Sequence, residues 1–292
     1  GFIWLIDAAL QYQPYMFSKD FVTQALEPAA VGTPWIVEHP SLWAAHLMIH
    51  HIAFYNAVFA SIQLVIALAI FWRPTVRVGL AASVGWALAV WWLGEGIGGI
   101  TVGVSAVMGA PGAAVVYALI ALLVWPGRGT DSQPADGRCV AESGLLGPLV
   151  AKGAWSVMWL GFAALGLEAV NRSPSALHGM VDGMSDGEPG WIKVMDRALA
   201  APLAHHGTEW SVGLAVLYVL IAAAVWVPGL IKPALVAAVA VAAVIWLAED
   251  FGGIATGSGT DVNSGPLLAL LAATLWPGPH GHHERRPVSA PR

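Results

Sequence analysis

Charged side chains are scarce in this sequence, since Asp, Glu, Lys and Arg together make up 11% of its 292 residues. Soluble domains carry about 25% charged residues. Hydrophobic residues reach 57% here, and the mean hydropathy is +0.68. The apolar segments cluster in spans of roughly 17–25 residues, the length that crosses a bilayer as a helix. The composition therefore excludes an ordinary soluble domain and predicts an integral membrane protein with several membrane-spanning helices.

Cysteine is almost absent as well. A single one, Cys139, excludes an internal disulfide and a cysteine-based metal cluster. The sequence has no Cys-x-x-Cys-His motif for covalent haem and no phosphate-binding Walker loop. The run Gly96-Ile-Gly-Gly99 is not a dinucleotide fingerprint, because it follows an apolar, Trp-rich helix rather than a strand. A stand-alone enzyme is therefore the least favoured class, and we expect no nucleic-acid partner.

What the sequence does contain is an internal repeat. The segment Trp92–Gly99 (WLGEGIGG) reappears as Trp246–Gly253 (WLAEDFGG). Three other landmarks recur at an offset of about 150 to 155 residues: a Trp-Leu pair, a His-His pair and a Trp-Pro-Gly turn. Each copy therefore places a His pair and a Glu at equivalent positions. This pattern indicates that one unit has been duplicated in tandem.

We interpret the apolar segments as eight transmembrane helices, four in each unit. Their predicted ranges are 1–17, 51–72, 77–95, 104–126, 149–170, 208–228, 233–249 and 265–277. The predicted organisation is a first membrane repeat at 1–127, a cytoplasmic linker at 128–148, a second membrane repeat at 149–278 and a disordered cytoplasmic tail at 279–292. Because each unit has an even number of helices, the two copies run parallel and form a pseudo-symmetric pair. The predicted fold class is an all-α, polytopic membrane protein.

Charge is distributed unevenly between the two predicted sides of the membrane. Nine of the 13 Lys and Arg residues fall on the side of the tail, together with four Asp or Glu residues. The opposite side carries the other four cations and thirteen anions. By the positive-inside rule, the Arg-rich side and the C-terminus are cytoplasmic. We expect a bacterial plasma membrane as the location, and further residues before Gly1, because the sequence starts within an apolar run.

His and carboxylate residues converge on the predicted outer side. The candidate metal ligands are His46, His50, His51, Glu95, His205, His206, Glu209, Glu249, Asp250 and Asp261. Two pairs, His46 with His50 and His205 with Glu209, are spaced four apart, so a helix would place each pair on one face. Imidazoles and carboxylates in this spacing suit zinc or copper. Interfacial polarity at helix ends and a proton or substrate path are the alternatives. If only one of the two copies holds a functional site, we expect it to be the second, because that copy has more acidic residues.

Glu95 and Glu249 are the sharpest candidates for function. Each follows a Trp-containing apolar helix and precedes a Gly-rich turn, which can re-enter the protein if its backbone is buried. Carboxylates at membrane depth usually mark ion paths, ligand sites or paired charges. The alternative is an acidic residue just outside the apolar band. Asp7, inside the first helix, has Phe162 at its matching position, and it either faces a cavity or lies near the cytoplasmic end.

The segment Ile62–Ala82 resembles the hairpin between the second and third helices of DoxX-like membrane proteins. It has their order of an apolar helix, a short Arg-bearing turn and an Ala-rich helix. The four-helix unit also fits that family, so the chain looks like two fused DoxX-like units. The resemblance implies a helical membrane frame. It also implies a link to redox complexes, because some members are subunits of thiosulfate:quinone oxidoreductase.

Three functions remain open at this point. The favoured one is an integral membrane subunit of a larger, redox- or metal-linked complex, with its His and carboxylate cluster on the extracytoplasmic face. This function implies a protein partner and contact with membrane lipid. The second is a transporter or channel that uses Glu95 and Glu249. The third is a purely structural accessory subunit.

Overall fold

The structure is a computed structural model that describes residues 1–127, 139–184 and 188–278. Within these ranges the chain forms α-helices, a π-helix over Phe21–Leu26, 3-10 turns and loops, and no β-strand. The helices are α1 (Phe2–Leu10), α2 (Glu27–Ala30), α3 (Trp35–Ile49), α4 (Ile52–Phe71), α5 (Val76–Leu93), α6 (Ala113–Leu123), α7 (Val140–Ser143), α8 (Gly147–Gly166), α9 (Ala176–Met184), α10 (Gly190–Ala200), α11 (Gly207–Ala224), α12 (Ile231–Ala248) and α13 (Ser264–Thr274). The predicted all-α fold is confirmed.

Five helices are long and apolar enough to cross a membrane. They are α4, α8, α11, and α5 and α12 with the turns that precede them, over Arg73–Leu93 and Pro228–Ala248. Their outward faces carry large apolar side chains, such as Val65 and Leu68 on α4, which are 63% and 56% exposed. Hydrocarbon solvates such a surface better than water does, so these helices are those of a membrane protein.

The other three predicted spans are shorter in the structure. α1 ends at Leu10, because Pro14 begins a 3-10 turn soon after it. α6 and α13 have 11 residues each, a length of about 16 Å, which is about half of a bilayer's hydrocarbon core. In the first half, a turn that contains Pro111 and the left-handed Gly109 and Gly112 delays the start of α6. The prediction of a helix from residue 104 was therefore wrong over 104–112.

The two halves are built in the same order. α1, α4, α5 and α6 pack in sequence in the first half, and α8, α11, α12 and α13 do so in the second. The short helices α6 and α13 pack against each other at the centre. Their buried Val116, Leu123, Leu267 and Leu271 belong to one apolar core. The junction between the halves is therefore made by helices that are too short to cross a bilayer alone.

A layer of short helices covers one end of each half. Along the chain, α2 and α3 come between α1 and α4, and α9 and α10 come between α8 and α11. The eight helices predicted from the sequence do not cover either stretch. Their exposed aromatic residues include Trp35, Trp43 and Trp191, at 73%, 66% and 57% exposure. Exposed Trp side chains suit the boundary between lipid and water.

Part of the predicted linker is folded against the bundle. The short helix α7 packs on α8, the Lys152 Nζ lies 3.2 Å from the Glu142 Oε1, and the Leu145 N–H donates to the Trp125 carbonyl at 2.9 Å. The rest of the linker at 128–138 and the predicted tail at 279–292 lie outside the described residues. The described part of the predicted linker, 139–148, thus lies in contact with the helical bundle.

The two repeated Gly-rich segments adopt the same unusual backbone. In the first half Ile97, Gly98 and Gly99 have φ of 53°, 64° and 66°. In the second half Phe251, Gly252 and Gly253 have φ of 58°, 67° and 68°. Left-handed backbone is costly for residues with a Cβ, so Gly dominates it. Gly96 and Asp250, which precede these residues, have φ of 54° and 51°, so four such residues in a row turn the chain back towards the bundle after α5 and after α12.

Candidate functional site

Glu95 and Glu249 occupy equivalent places, each immediately before one of these turns. The Ala114 N–H, in the first turn of α6, donates to the Glu95 carboxylate at 3.0 Å and 3.2 Å. The Ser264 Oγ, at the start of α13, donates to both oxygens of Glu249 at 2.9 Å. A helix N-terminus carries free N–H groups and a partial positive charge, which favour an acceptor there. Both residues therefore fasten their turn to the short helix that follows it.

The two carboxyl groups hold their protons more tightly than ordinary glutamates. Burial raises the pKa of Glu95 and of Glu249 to about 8 each, and the carboxylate of Asp261 adds to both shifts. The hydrogen bonds from Ala114 and Ser264 lower the pKa, but by less than burial raises it. A substantial share of both groups is therefore protonated near neutral pH.

Next to Glu95, a cavity of about 350 Å³ opens between α1, α3, α4, α5 and α6; we call it the inner cavity. Its walls are largely apolar, and their aromatic residues include Trp4, Phe21, Trp43, Tyr55, Phe59 and Trp86. Its polar lining is small and consists of Asp7, Gln11, Gln63, Glu95, Tyr117, Thr260 and Asp261. An apolar cavity of this size with a few convergent polar groups is typical of a small-molecule site.

Asp7 is the most deeply buried acid of the inner cavity, with 1% of its side chain exposed. The Tyr117 hydroxyl donates to its Oδ2, while its Oδ1 has no hydrogen-bond partner. Of the two alternatives for Asp7 in the sequence, the structure places it at a cavity. Tyr117 and Gln63 were missed. The signal that could have found them is a polar group within an otherwise apolar helix.

A second space of about 330 Å³ lies beside the first; we call it the outer cavity. The Gly-rich turns and the segment before α6 line it. Glu95, Thr260 and Asp261 line both cavities. These three residues thus form the boundary between the inner and the outer cavity, and two of them come from the second half of the chain.

The second half fills the equivalent space with aromatic rings. Trp159, Phe162 and Tyr218 stand at the positions that Trp4, Asp7 and Gln63 hold in the first half. Their ring centroids are 5.3 to 5.9 Å apart, and all three side chains are buried. The larger number of acids favoured the second copy as the working one. The structure instead places the inner cavity in the first copy, to which the second contributes Asp261.

The predicted metal ligands are dispersed. His46 and His50 share a helix face as predicted, with ring centroids 5.0 Å apart, but they are exposed, as is His51. In the second half it is His206, not His205, that approaches Glu209, at 4.0 Å on the surface. Within the described ranges, no three His, Cys, Asp or Glu side chains are grouped so that they could hold one metal ion. Only His46 and His50 have the predicted helical spacing, because His205 lies before α11 with a φ of 65°. The carboxylates that would complete a metal site lie elsewhere.

Asp250 has a partner that the sequence did not indicate. It is 2% exposed and lies against Asp196 of α10, which is fully buried. The two carboxyl groups interact at close range, and in the described structure none of their four oxygens has a hydrogen-bond donor. Because carboxylates only accept, a hydrogen bond between the two groups requires that one of them be protonated. Burial raises the pKa of both groups, to about 7 for Asp250, and the Asp196 contact adds to the shift of Asp250. The pair joins α10 to the turn after α12.

The Asp196–Asp250 pair predicts a pH-dependent stability. The pKa of Asp250 is raised from 3.8 to about 7, so its stabilising proton is fully present below about pH 4 and lost as the pH rises through 7. We expect Tm in detergent to fall by several degrees from pH 5 to pH 8, since about 1 kcal/mol shifts Tm by roughly 2–4 °C.

The matched variants of this experiment are Asp250→Asn and Glu209→Gln. Asn donates a hydrogen bond to Asp196 without titrating, so Asp250→Asn should raise Tm at pH 8 and make the pH profile less steep, leaving the part that is due to Glu95 and Glu249. Glu209 is exposed, so Glu209→Gln should follow the wild-type profile. An unchanged slope in Asp250→Asn would show that the pair does not hold a shared proton.

The chain matches no protein-family model, no curated protein and no solved structure. The resemblance of Ile62–Ala82 to DoxX-like proteins therefore stays a prediction. The function has to be argued from the two cavities and their boundary.

Proposed function

We propose that the protein is an integral membrane transporter whose substrate site is the inner cavity. The observation that carries this proposal is the boundary formed by Glu95, Thr260 and Asp261, which line the inner and the outer cavity at once. A molecule that leaves the aromatic inner cavity in this direction meets polar side chains and then the outer cavity. A buried aromatic site with a polar exit towards a second cavity supports substrate exchange better than a purely structural role.

The arrangement of the two halves supports the same proposal. Gln11 and Gln13, after α1, donate from Nε2 to the Thr260 and Gly259 carbonyls at 3.3 Å and 3.1 Å. In the other direction, the Asn171 Nδ2 of the second half donates to the Gly103 carbonyl of the first at 2.8 Å. Side chains of each half thus donate hydrogen bonds to the loop that follows the Gly-rich turn of the other half. A relative shift of the halves would move Asp261 against Glu95 and change the boundary between the cavities.

Filling the inner cavity should abolish binding. Ala44 of α3 and Ala89 of α5 both line it and are half-buried, so Phe at either position would occupy the space. We expect Ala44→Phe and Ala89→Phe to weaken saturable binding of phenethylamine and phenethyl alcohol by at least about tenfold. Equilibrium dialysis against protein-loaded and empty lipid nanodiscs measures this binding and corrects for partition into lipid.

The matched control is Ala81→Phe, because Ala81 is also on α5 but exposed. It should bind as the wild type does. Binding that survives both cavity variants would place the ligand elsewhere and overturn the assignment of the site. Uptake of the bound probe into proteoliposomes then tests transport, and binding without uptake would leave a receptor or subunit rather than a transporter.

The favoured interpretation of the sequence, a subunit in a larger redox- or metal-linked complex with a DoxX-like frame of eight helices, remains our second candidate. The exposed Trp35 and Trp43 of α3 favour it, because they offer a partner an aromatic surface beside the inner cavity. Mass spectrometry and metal analysis of the natively purified peak test it. A stoichiometric partner with zinc or copper would support it, and a metal-free single chain would contradict it.

A further inference from the structure

The unsatisfied polar atoms at the inner cavity are mainly hydrogen-bond acceptors. Among the buried side-chain atoms of the described lining residues, the Trp86 Nε1 is the one donor without a partner, whereas three acceptors have none: Asp7 Oδ1, Gln11 Oε1 and Gln63 Oε1. Their side chains are 1%, 5% and 6% exposed. The Gln11 Nε2 donates to the Thr260 carbonyl at 3.3 Å, which fixes the orientation of its amide and leaves the oxygen free. Buried acceptors without donors cost free energy, so a ligand that fits this cavity has to bring donors.

The ionisable side chains that line the inner cavity are all acidic. Asp7, Glu95 and Asp261 line it, and no Lys, Arg or His side chain is among its lining residues in the described part of the chain. Burial raises the pKa of Asp261, even though the Asn263 N–H and the Thr260 hydroxyl donate to it. Removing a carboxylate from water without a cation beside it is unfavourable. A positively charged ligand would offset that cost, and an anion would increase it.

The aromatic walls suit an apolar body that carries this charge. The ring centroids of Phe59 and Trp86 are 5.2 Å apart, and those of Trp4 and Tyr117 are 4.4 Å apart. Ring faces attract cations and also bury apolar groups. A metal ion does not fit this description, because it needs several ligands at one point and the described residues offer no such group.

We infer that the inner cavity binds a protonated amine with an aromatic or compact apolar body, whose N–H groups donate to Asp7 and Gln11. The inference rests on the proposed function, since it names the substrate class of that same site. It separates two kinds of cation. A quaternary ammonium ion has the charge but no N–H donor, so it would leave Asp7 Oδ1 and Gln11 Oε1 without partners.

Four matched probes test this inference by equilibrium dialysis in nanodiscs: phenethylamine, phenethyl alcohol, phenylacetate and phenethyltrimethylammonium. We expect phenethylamine to bind about tenfold or more tightly than the alcohol or the quaternary ion, because charge-assisted hydrogen bonds are the stronger ones. Phenylacetate should show no saturable binding.

Asp7→Asn should weaken phenethylamine binding by about tenfold to a hundredfold and change alcohol binding by less than about threefold. Asp261→Asn, at a half-buried position, provides a second test if Asp7→Asn does not fold. Asp20→Asn is the control, because Asp20 is exposed and does not line the cavity.

The outcomes separate the two proposals. If the alcohol binds as tightly as the amine and Ala44→Phe abolishes both, the inner cavity is a binding site and the amine inference is overturned. Equal binding of phenethylamine and the quaternary ion would overturn the role of the N–H donors. Saturable binding of none of the four probes would overturn the amine inference and count against the binding function as well.

Discussion

Gly98→Ala is expected to cost the protein its fold, by more than about 4 kcal/mol. Gly98 has a φ of +64°, and a Cβ there would lie 1.8 Å from the Pro111 carbonyl oxygen and 2.0 Å from its carbon. These are backbone atoms, so relief requires a shift of the segment that starts α6. That shift would break the hydrogen bond from Ala114 to Glu95 and would open the boundary between the cavities.

The second half provides a matched comparison for this variant. Gly252 has a φ of +67°, and its nearest obstacle is the Asn263 Cβ at 2.7 Å, a milder overlap than the 1.8 Å at Gly98. Both variants carry the strain of left-handed backbone, about 1–2 kcal/mol, and Gly98→Ala adds the more severe collision. We therefore expect Gly252→Ala to yield folded protein with a lowered Tm.

The measurement is the yield of monodisperse protein in detergent, followed by Tm. Gly85→Ala is the control, because Gly85 lies inside α5 with nothing within 4 Å of an added Cβ. It should be neutral or stabilising by up to about 1 kcal/mol. Gly98→Ala with the same yield and Tm as Gly85→Ala would show that the turn is not as tightly held as the structure has it.

The re-entrant turns could be predicted because their cause is local. Glycines at Gly98, Gly99, Gly252 and Gly253 permit the left-handed backbone, and the repeated Trp-Leu-x-Glu before them marks the same place in both halves. The role of Glu95 and Glu249 as acceptors for the next helix was not predictable in the same way. Their donors lie 15 to 19 residues further along the chain.

The cavity could not be predicted, because it depends on which side chains meet across the bundle. Whether the space beside Trp4 is open is decided by Asp7 and Gln63, and in the second half Phe162 and Tyr218 fill the same space. The number of acids favoured the second half, because Asp261 belongs to that half in the sequence. In the fold, Asp261 belongs to the cavity of the first half.

The sequence predicts eight membrane-spanning helices, whereas five helices of the described chain are long and apolar enough to span a membrane. Apolar composition at 104–126 predicted a full span, but composition does not reveal where a helix starts. The left-handed Gly112 and the turn before it set that point at Ala113. The helices α9 and α10 were not predicted, because their sequences are too polar and too short for a membrane span. They are amphipathic, so they can pack against the membrane-spanning helices.

Glu95→Gln and Glu249→Gln are expected to separate binding from folding, because the two residues share a structural role but not a cavity. Glu95 lines both cavities, whereas Glu249 lines neither of them. Glu95→Gln should therefore weaken phenethylamine binding by about tenfold, and Glu249→Gln should leave it within about threefold of wild type. Both Gln variants should fold, since the amide oxygen accepts the same hydrogen bond from Ala114 or Ser264.

The corresponding Ala variants remove the acceptor altogether. Each leaves buried donors at a helix N-terminus without a partner and creates a void, for an expected loss of about 2–4 kcal/mol in the free energy of unfolding. Tm and equilibrium dialysis on the four variants measure both effects. If Glu249→Gln weakened binding as much as Glu95→Gln, the two glutamates would act on one shared path, as the sequence repeat alone suggests. If binding changes only at Glu95, the duplication has kept one glutamate for the fold and given the other to the ligand.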